Sequence, residues 1–158
     1  MKQGKPTLLI DDPLPIINPQ LGANEMKGGR RGMMMQQQPP EQKGNFREFY
    51  RMLSIAWDPT DIAWDTHKPT KAFQEYPHEL VFVDKGNGAA EPFSKKSPIT
   101  SGLQQLVFLF AGTCRDGGMK GIEFTPLVTA GKASGFLSYT DVWRTNPFFR
   151  GGGLKSAA

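Results

Sequence analysis

Cysteine is nearly absent from this sequence: Cys114 is the single cysteine among 158 residues. One cysteine cannot form an internal disulfide, and it excludes a zinc site built from several cysteines. Long apolar runs are missing as well. The longest, LVFLFAG at 106–112, has the length of a strand, whereas a helix that crosses a bilayer needs about 20 apolar residues. The amino-terminal MKQGKPTLLIDDP lacks the long apolar stretch of a signal peptide. The pattern predicts a soluble piece of protein.

Concentrated charge is also lacking. Lysine and arginine number 19 against 15 acidic residues, a formal net charge of +4. A nucleic-acid-binding protein gathers its basic residues into a patch or stripe. Here they are scattered singly, and the densest group, KGGRRG at 27–32, lies in a glycine-rich stretch. We therefore predict no nucleic-acid partner.

Two parts of the chain are poor in residues that build a core. Residues 22–44 are rich in Gly, Gln and Pro and low in β-branched and aromatic residues, so they cannot bury enough apolar surface to offset the entropy of ordering. We predict a long disordered loop at 22–44 and a flexible tail at 146–158. Residues 1–158 otherwise have a length that suits one α/β domain or a fragment of one.

The clearest helix follows Asn45, a favourable N-cap residue. Aromatic and aliphatic side chains recur there with helical spacing and define one apolar face: Phe46, Phe49, Tyr50, Leu53 and Trp57. These aromatic residues, with Trp64, Phe82, Phe108 and Phe110, are interpreted as core.

Short apolar runs predict the strands. They are LLI within Pro6–Pro13, DIAWDT at 61–66, LVFV ending before Asp84, LVFLFAG, and a segment around 124–129. Fully apolar runs of this length are typical of strands covered on both faces, as in a parallel sheet. The order of elements predicts an α/β fold with a small, mostly parallel sheet and flanking helices, a partial Rossmann-like arrangement.

Several pieces in this order resemble a known family. KPTLLIDDPLPIINPQL, MLSIAWDPTDIAWD, HELVFV, SPITSGLQQLVFLFAG and FTPLVTAGKASG together resemble the soluble domain of GldG-type proteins, auxiliary components of bacterial ABC transporters first associated with gliding motility. The resemblance covers most of residues 4–143. It implies a flavodoxin-like fold, similar to that of class I glutamine amidotransferases.

The resemblance also implies partners and a location. The permease and ATPase subunits of an ABC transporter would be the partners. The parent protein would be anchored on the extracytoplasmic, periplasmic side of the bacterial inner membrane through segments absent from this chain. SPITSGL looks like the HPIT-x-GL loop of the broader group, with Ser97 where that group usually has histidine.

A binding cleft is predicted at the strand ends. Asp11, Asp12 and Asp84 would lie at the carboxyl ends of neighbouring parallel strands, where ligands of open α/β sheets bind. The loop that carries Ser97, Thr100 and Ser101 would line the same cleft. Carboxylate oxygens suit Mg²⁺ or Ca²⁺, but an aspartate before Pro13 is ordinary turn chemistry. Without a phosphate-binding glycine motif, we predict neither a metal nor a cofactor.

Catalysis is the principal alternative. AGTCRDG places Cys114 on a turn after a strand, as in a nucleophile elbow, and a cysteine-dependent hydrolase or amidotransferase would need His67, His78 or Arg115 to lower the thiol pKa. The glycine-rich RDGGMKGIEF that follows is typical of a loop, not of the helix that an elbow requires. We therefore predict a non-catalytic recognition or scaffolding domain. A carbohydrate- or peptide-binding module is a further alternative, based on the aromatic residues.

Overall fold

The computed structural model describes residues 6–15 and 46–145, so the predicted loop at 22–44 and tail at 146–158 lie outside the described residues. The two α-helices are α1 (Phe46–Met52) and α2 (Tyr139–Thr145), and a 3₁₀ helix spans Lys71–Phe73. The strands are β1 (Ile55–Trp57), β2 (Asp61–Asp65), β3 (Leu80–Asp84), β4 (Gln105–Leu109), β5 (Cys114–Asp116) and β6 (Ser134–Ser138).

Each named strand pairs with an antiparallel neighbour. β1 pairs with β5, β2 with β6 and β3 with β4, forming three two-stranded sheets. The second edge of β2 meets the end of the β3–β4 pair, where Ala63 N–H donates to Ala111 C=O at 2.8 Å. The prediction of a small, mostly parallel, flavodoxin-like α/β sheet is therefore wrong for the described part of the chain.

The error comes from how the apolar runs are covered. In the LLI run, Leu8 and Ile10 are 82% and 88% exposed and lie outside any strand. In β3, Val81 and Val83 face the core, while Phe82 packs against the Phe73 ring, 4.8 Å between centroids. An aromatic ring from the short 3₁₀ helix thus covers the second face of β3, a role that crossover helices have in parallel sheets.

The predicted helix is real but ends earlier than its pattern indicates. Ser54 adopts a left-handed φ of 57°, which is incompatible with a right-handed helix, so α1 ends at Met52. The chain then turns into β1, so Trp57 lies on a strand and not on the helix. Its ring still meets Tyr50, with centroids 4.7 Å apart.

Strand β2 separates two apolar clusters. Ile62 packs with Leu14, Phe110 and Val142. Ala63, on the opposite face of β2, packs with Val81, Val83 and Phe93, supported by Leu103, Leu106, Phe108 and Val128. In the described ranges, no helix has the length and apolar character needed to cross a membrane.

Candidate functional site

The predicted strand-end residues take up separate local roles. Asp12 accepts the Leu14 N–H at 2.9 Å, and Asp11 accepts the Tyr50 hydroxyl at 3.2 Å. Burial and the neighbouring Asp11 carboxylate raise the pKa of Tyr50 to about 12. Asp12 therefore stabilises a local turn within residues 6–15, and Asp11 connects this segment to α1.

Asp84 lies at a different place, at the end of β3. His67 Nε2 is 3.0 Å from both Asp84 oxygens, and the Gly86 N–H donates to the same carboxylate. Burial alone would raise the pKa of Asp84, but the hydrogen bonds from His67 and Gly86 outweigh burial and lower that pKa. The His67 side chain is largely buried in this pair.

The lowered pKa of Asp84 predicts a pH-dependent contribution to stability. A depressed folded-state pKa stabilises the fold above the unfolded-state value, about 4, and this stability is lost as pH falls through the folded-state pKa. We expect Asp84→Asn to lose about 1–3 kcal/mol at pH 7 and less at pH 3, where the unfolded-state carboxyl is mostly protonated. Urea unfolding at both pH values measures this, with the exposed Glu75→Gln as control. An Asp84→Asn deficit that is equal at both pH values would contradict the assignment.

Ser97, Thr100 and Ser101, which are predicted to line the cleft, form a turn. The N–H groups of Thr100 and Ser101 both donate to the Ser97 C=O. The buried Thr100 hydroxyl donates to Ser94 C=O at 2.9 Å. Within the described residues, no hydrogen bond or ion pair joins this turn to Asp11, Asp12 or Asp84. Nor does that part of the chain hold three His, Cys, Asp or Glu side chains placed to bind a metal.

A different site stands out: an apolar cavity of about 460 Å³, which we call the β5 groove. Its base consists of side chains from three strands, Ala63 on β2, Val81 and Val83 on β3, and Phe108 on β4. Its walls and rim come from two chain segments, residues 111–116 and 124–130, represented by Ala111, Gly112, Thr113, Cys114, Arg115, Asp116, Phe124, Pro126, Val128, Thr129 and Ala130. The volume lies within the range of small-molecule pockets.

One wall of the groove is an open strand edge. Val128 forms an isolated antiparallel bridge with Phe93, closed by the hydrogen bonds Ser94 N–H to Leu127 C=O and Thr129 N–H to Pro92 C=O. In such a bridge the backbone groups of Val128 itself point away from Phe93. No described residue hydrogen-bonds the Val128 N–H or C=O.

The 111–113 segment lines the groove as well. Ala111 C=O is taken by Ala63, and no backbone hydrogen bond outside the strand ladders reaches Gly112 from the described residues. A Cβ on Gly112 would make a tight contact, 3.2 Å from both Pro13 Cγ and Trp57 Nε1.

The rim carries the polar groups. Cys114 is exposed as a residue, while local burial raises the pKa of its thiol. The Arg115 guanidinium lies over the Phe136 ring at 5.2 Å, and no described carboxylate comes within 4 Å of it. Asp116 accepts hydrogen bonds from the Ser54 hydroxyl and the Gly118 N–H.

Several residues of this groove have a predicted role, but the sequence does not predict that they form one site. Phe108 was assigned to the core and Cys114 to a possible catalytic turn, while Val128 was placed in a predicted strand. These residues come together because β4, β5 and the 124–130 segment converge on β2 and β3. No local pattern encodes that convergence.

Comparison of the chain with known protein families, curated proteins and solved structures found no match.

Proposed function

We propose that this chain is a non-catalytic recognition domain whose β5 groove holds an apolar side chain of a partner molecule. The observation that carries the proposal is the apolar base, made of the buried Ala63, Val81 and Val83 and the half-buried Phe108, beneath a rim of exposed polar residues. Filling such a cavity removes apolar surface from water on both molecules, at about 25 cal/mol per Å².

The chemistry around Cys114 supports recognition over catalysis. A nucleophilic cysteine needs a lowered thiol pKa, whereas burial raises the pKa of this one. His67, one of the three residues considered as an activating base, is instead hydrogen-bonded to Asp84. The thiol thus lines a binding surface and serves as a native reporter of its occupancy.

The reporter gives a direct test. We expect N-acetyl-leucinamide at millimolar concentration to slow modification of Cys114 by a chromogenic thiol reagent at least threefold, because the leucine side chain enters the groove and covers the sulfur. N-acetyl-serinamide, which has the same backbone and no apolar side chain, should leave the rate unchanged. Equal modification rates with both compounds would overturn the proposal.

A pair of variants locates the effect. Ala130 lines the cavity, so Ala130→Trp should fill it and abolish protection by N-acetyl-leucinamide. Ala133, three residues further, is exposed and outside the lining, so Ala133→Trp should retain protection. Far-ultraviolet circular dichroism of both variants checks that the fold is intact. Protection that survives Ala130→Trp would place the bound compound elsewhere.

The identity of the partner stays a prediction from the sequence resemblance. That resemblance implies permease and ATPase subunits of an ABC transporter on the extracytoplasmic side of a bacterial membrane, although its implied flavodoxin-like fold is wrong. Co-purification of those subunits with the wild-type chain, and their loss with Ala130→Trp but not Ala133→Trp, would support this partner class.

A further inference from the structure

We propose that the occupant of the β5 groove is an extended peptide that adds as a strand along Val128 and carries an acidic residue next to its apolar anchor. The inference rests on the proposed function and specifies its ligand. Three features support it: an open backbone edge, an apolar cavity directly beside that edge, and a cation at the rim.

The open edge supplies the first interaction. The Val128 N–H and C=O are both unpaired among the described residues, and Val128 is one of the residues that line the cavity. An added strand satisfies such groups in pairs, and strand addition is a common mode of peptide recognition in which backbone hydrogen bonds give affinity. A ligand without a peptide backbone would leave both groups to water.

The cavity supplies the second interaction. Side chains of an extended peptide alternate between two faces, and neighbouring residues on one face are separated by about 6.5–7 Å. A peptide lying along Val128 therefore directs every second side chain toward the base formed by Val81, Val83 and Phe108. The uncharged base favours leucine-like side chains at that position.

The rim supplies the third interaction. Arg115 stacks on Phe136, and stacking leaves the N–H edge of a guanidinium available for a carboxylate. Asp61 influences Arg115 only from beyond ion-pair distance, and Asp116 is engaged by Ser54 and Gly118. The net charge of +4 adds a long-range attraction for an acidic peptide.

Fluorescence anisotropy with matched peptides tests the inference on the full chain. The first probe is a fluorescein-labelled octapeptide in which leucine and serine alternate, except that two glutamates follow the central leucine. We call it the acidic peptide. The second, the lysine peptide, has two lysines in place of the two glutamates. A third peptide is the acidic probe N-methylated at every second backbone nitrogen, so that the methyl groups replace the N–H groups that face the Val128 edge. We expect the lysine peptide and the N-methylated peptide each to bind at least tenfold more weakly than the acidic one.

Variants of the protein assign the charge effect. Arg115→Gln should weaken the acidic peptide about tenfold, whereas Lys120→Gln, the same charge change at an exposed lysine outside the lining, should change it less than twofold. Equal binding of acidic and lysine peptides, or of methylated and unmethylated peptides, would overturn the inference. If the peptides bind equally but N-acetyl-leucinamide still protects Cys114, the proposed recognition of an apolar side chain is supported and the acidic, strand-forming peptide is ruled out as its ligand. If neither probe binds, both fall.

Discussion

Replacing Gly131 by alanine is expected to destabilise the fold by about 3 kcal/mol or more, because no space exists for a methyl group there. A Cβ on Gly131 would overlap the backbone carbonyl oxygen of Asn87 and lie 2.7 Å from Asp65 Oδ2. Backbone contacts of this kind cannot be relieved by rotating a side chain. Either the 129–131 segment or the turn after β3 has to move.

Both neighbours of Gly131 are held in place. Asp65 is fully buried, and its carboxylate accepts the His67 N–H at 2.8 Å and the Gly131 N–H at 2.9 Å. The buried Asn87 amide donates to Thr129 C=O and accepts the Ala89 N–H. Moving either residue breaks hydrogen bonds in a buried setting, which costs about 1–3 kcal/mol for each group left unsatisfied.

Chemical denaturation of wild type and Gly131→Ala measures the loss. Gly102→Ala is the matched control, since a Cβ at Gly102 would meet no described atom within 4 Å. Gly102→Ala should change the unfolding free energy by less than about 1 kcal/mol. A Gly131→Ala protein as stable as this control would show that the loop around Asn87 and Asp65 is far softer than its hydrogen bonds indicate.

Local patterns located some elements and failed on others. DIAWDT and LVFV are strands β2 and β3 as predicted, since β-branched and aromatic residues in short runs favour extended backbone. The three polar residues of β5 carry no such pattern, and they form a strand because they pair with β1. In α2, Val142 is the one residue described as fully buried, too little to mark an apolar helix face.

The direction of strand pairing was the decisive error. An apolar run indicates that a strand is buried, but it does not indicate which elements pack against the strand. β3 is covered by β4, by Phe73 and by the segments around Phe93 and Val128, and all these contacts are nonlocal. The predicted cleft required parallel strands whose carboxyl ends meet at one edge. Because the strands pair in antiparallel fashion, Asp11 and Asp84 have different partners and do not form that cleft.

Truncation of Phe110 to alanine is the second change with a large expected effect. Phe110 is fully buried among Leu14, Ile62 and Val142. Removing a buried phenylalanine ring costs about 3–5 kcal/mol, the sum of lost apolar burial and the cavity left behind. Phe136→Ala, the same change at a ring that is 49% exposed, should cost less than about 1 kcal/mol even with the loss of its contact to Arg115.

The backbone at Phe110 allows a sharper version of this experiment. Its φ of 54° lies in the left-handed region, which alanine adopts with strain and glycine without it. Phe110→Gly is therefore expected to be no less stable than Phe110→Ala, the reverse of the usual order in strands. Urea denaturation of the two variants decides the point: a glycine variant clearly less stable than the alanine variant would mean that the left-handed backbone at this position is not retained once the ring is removed.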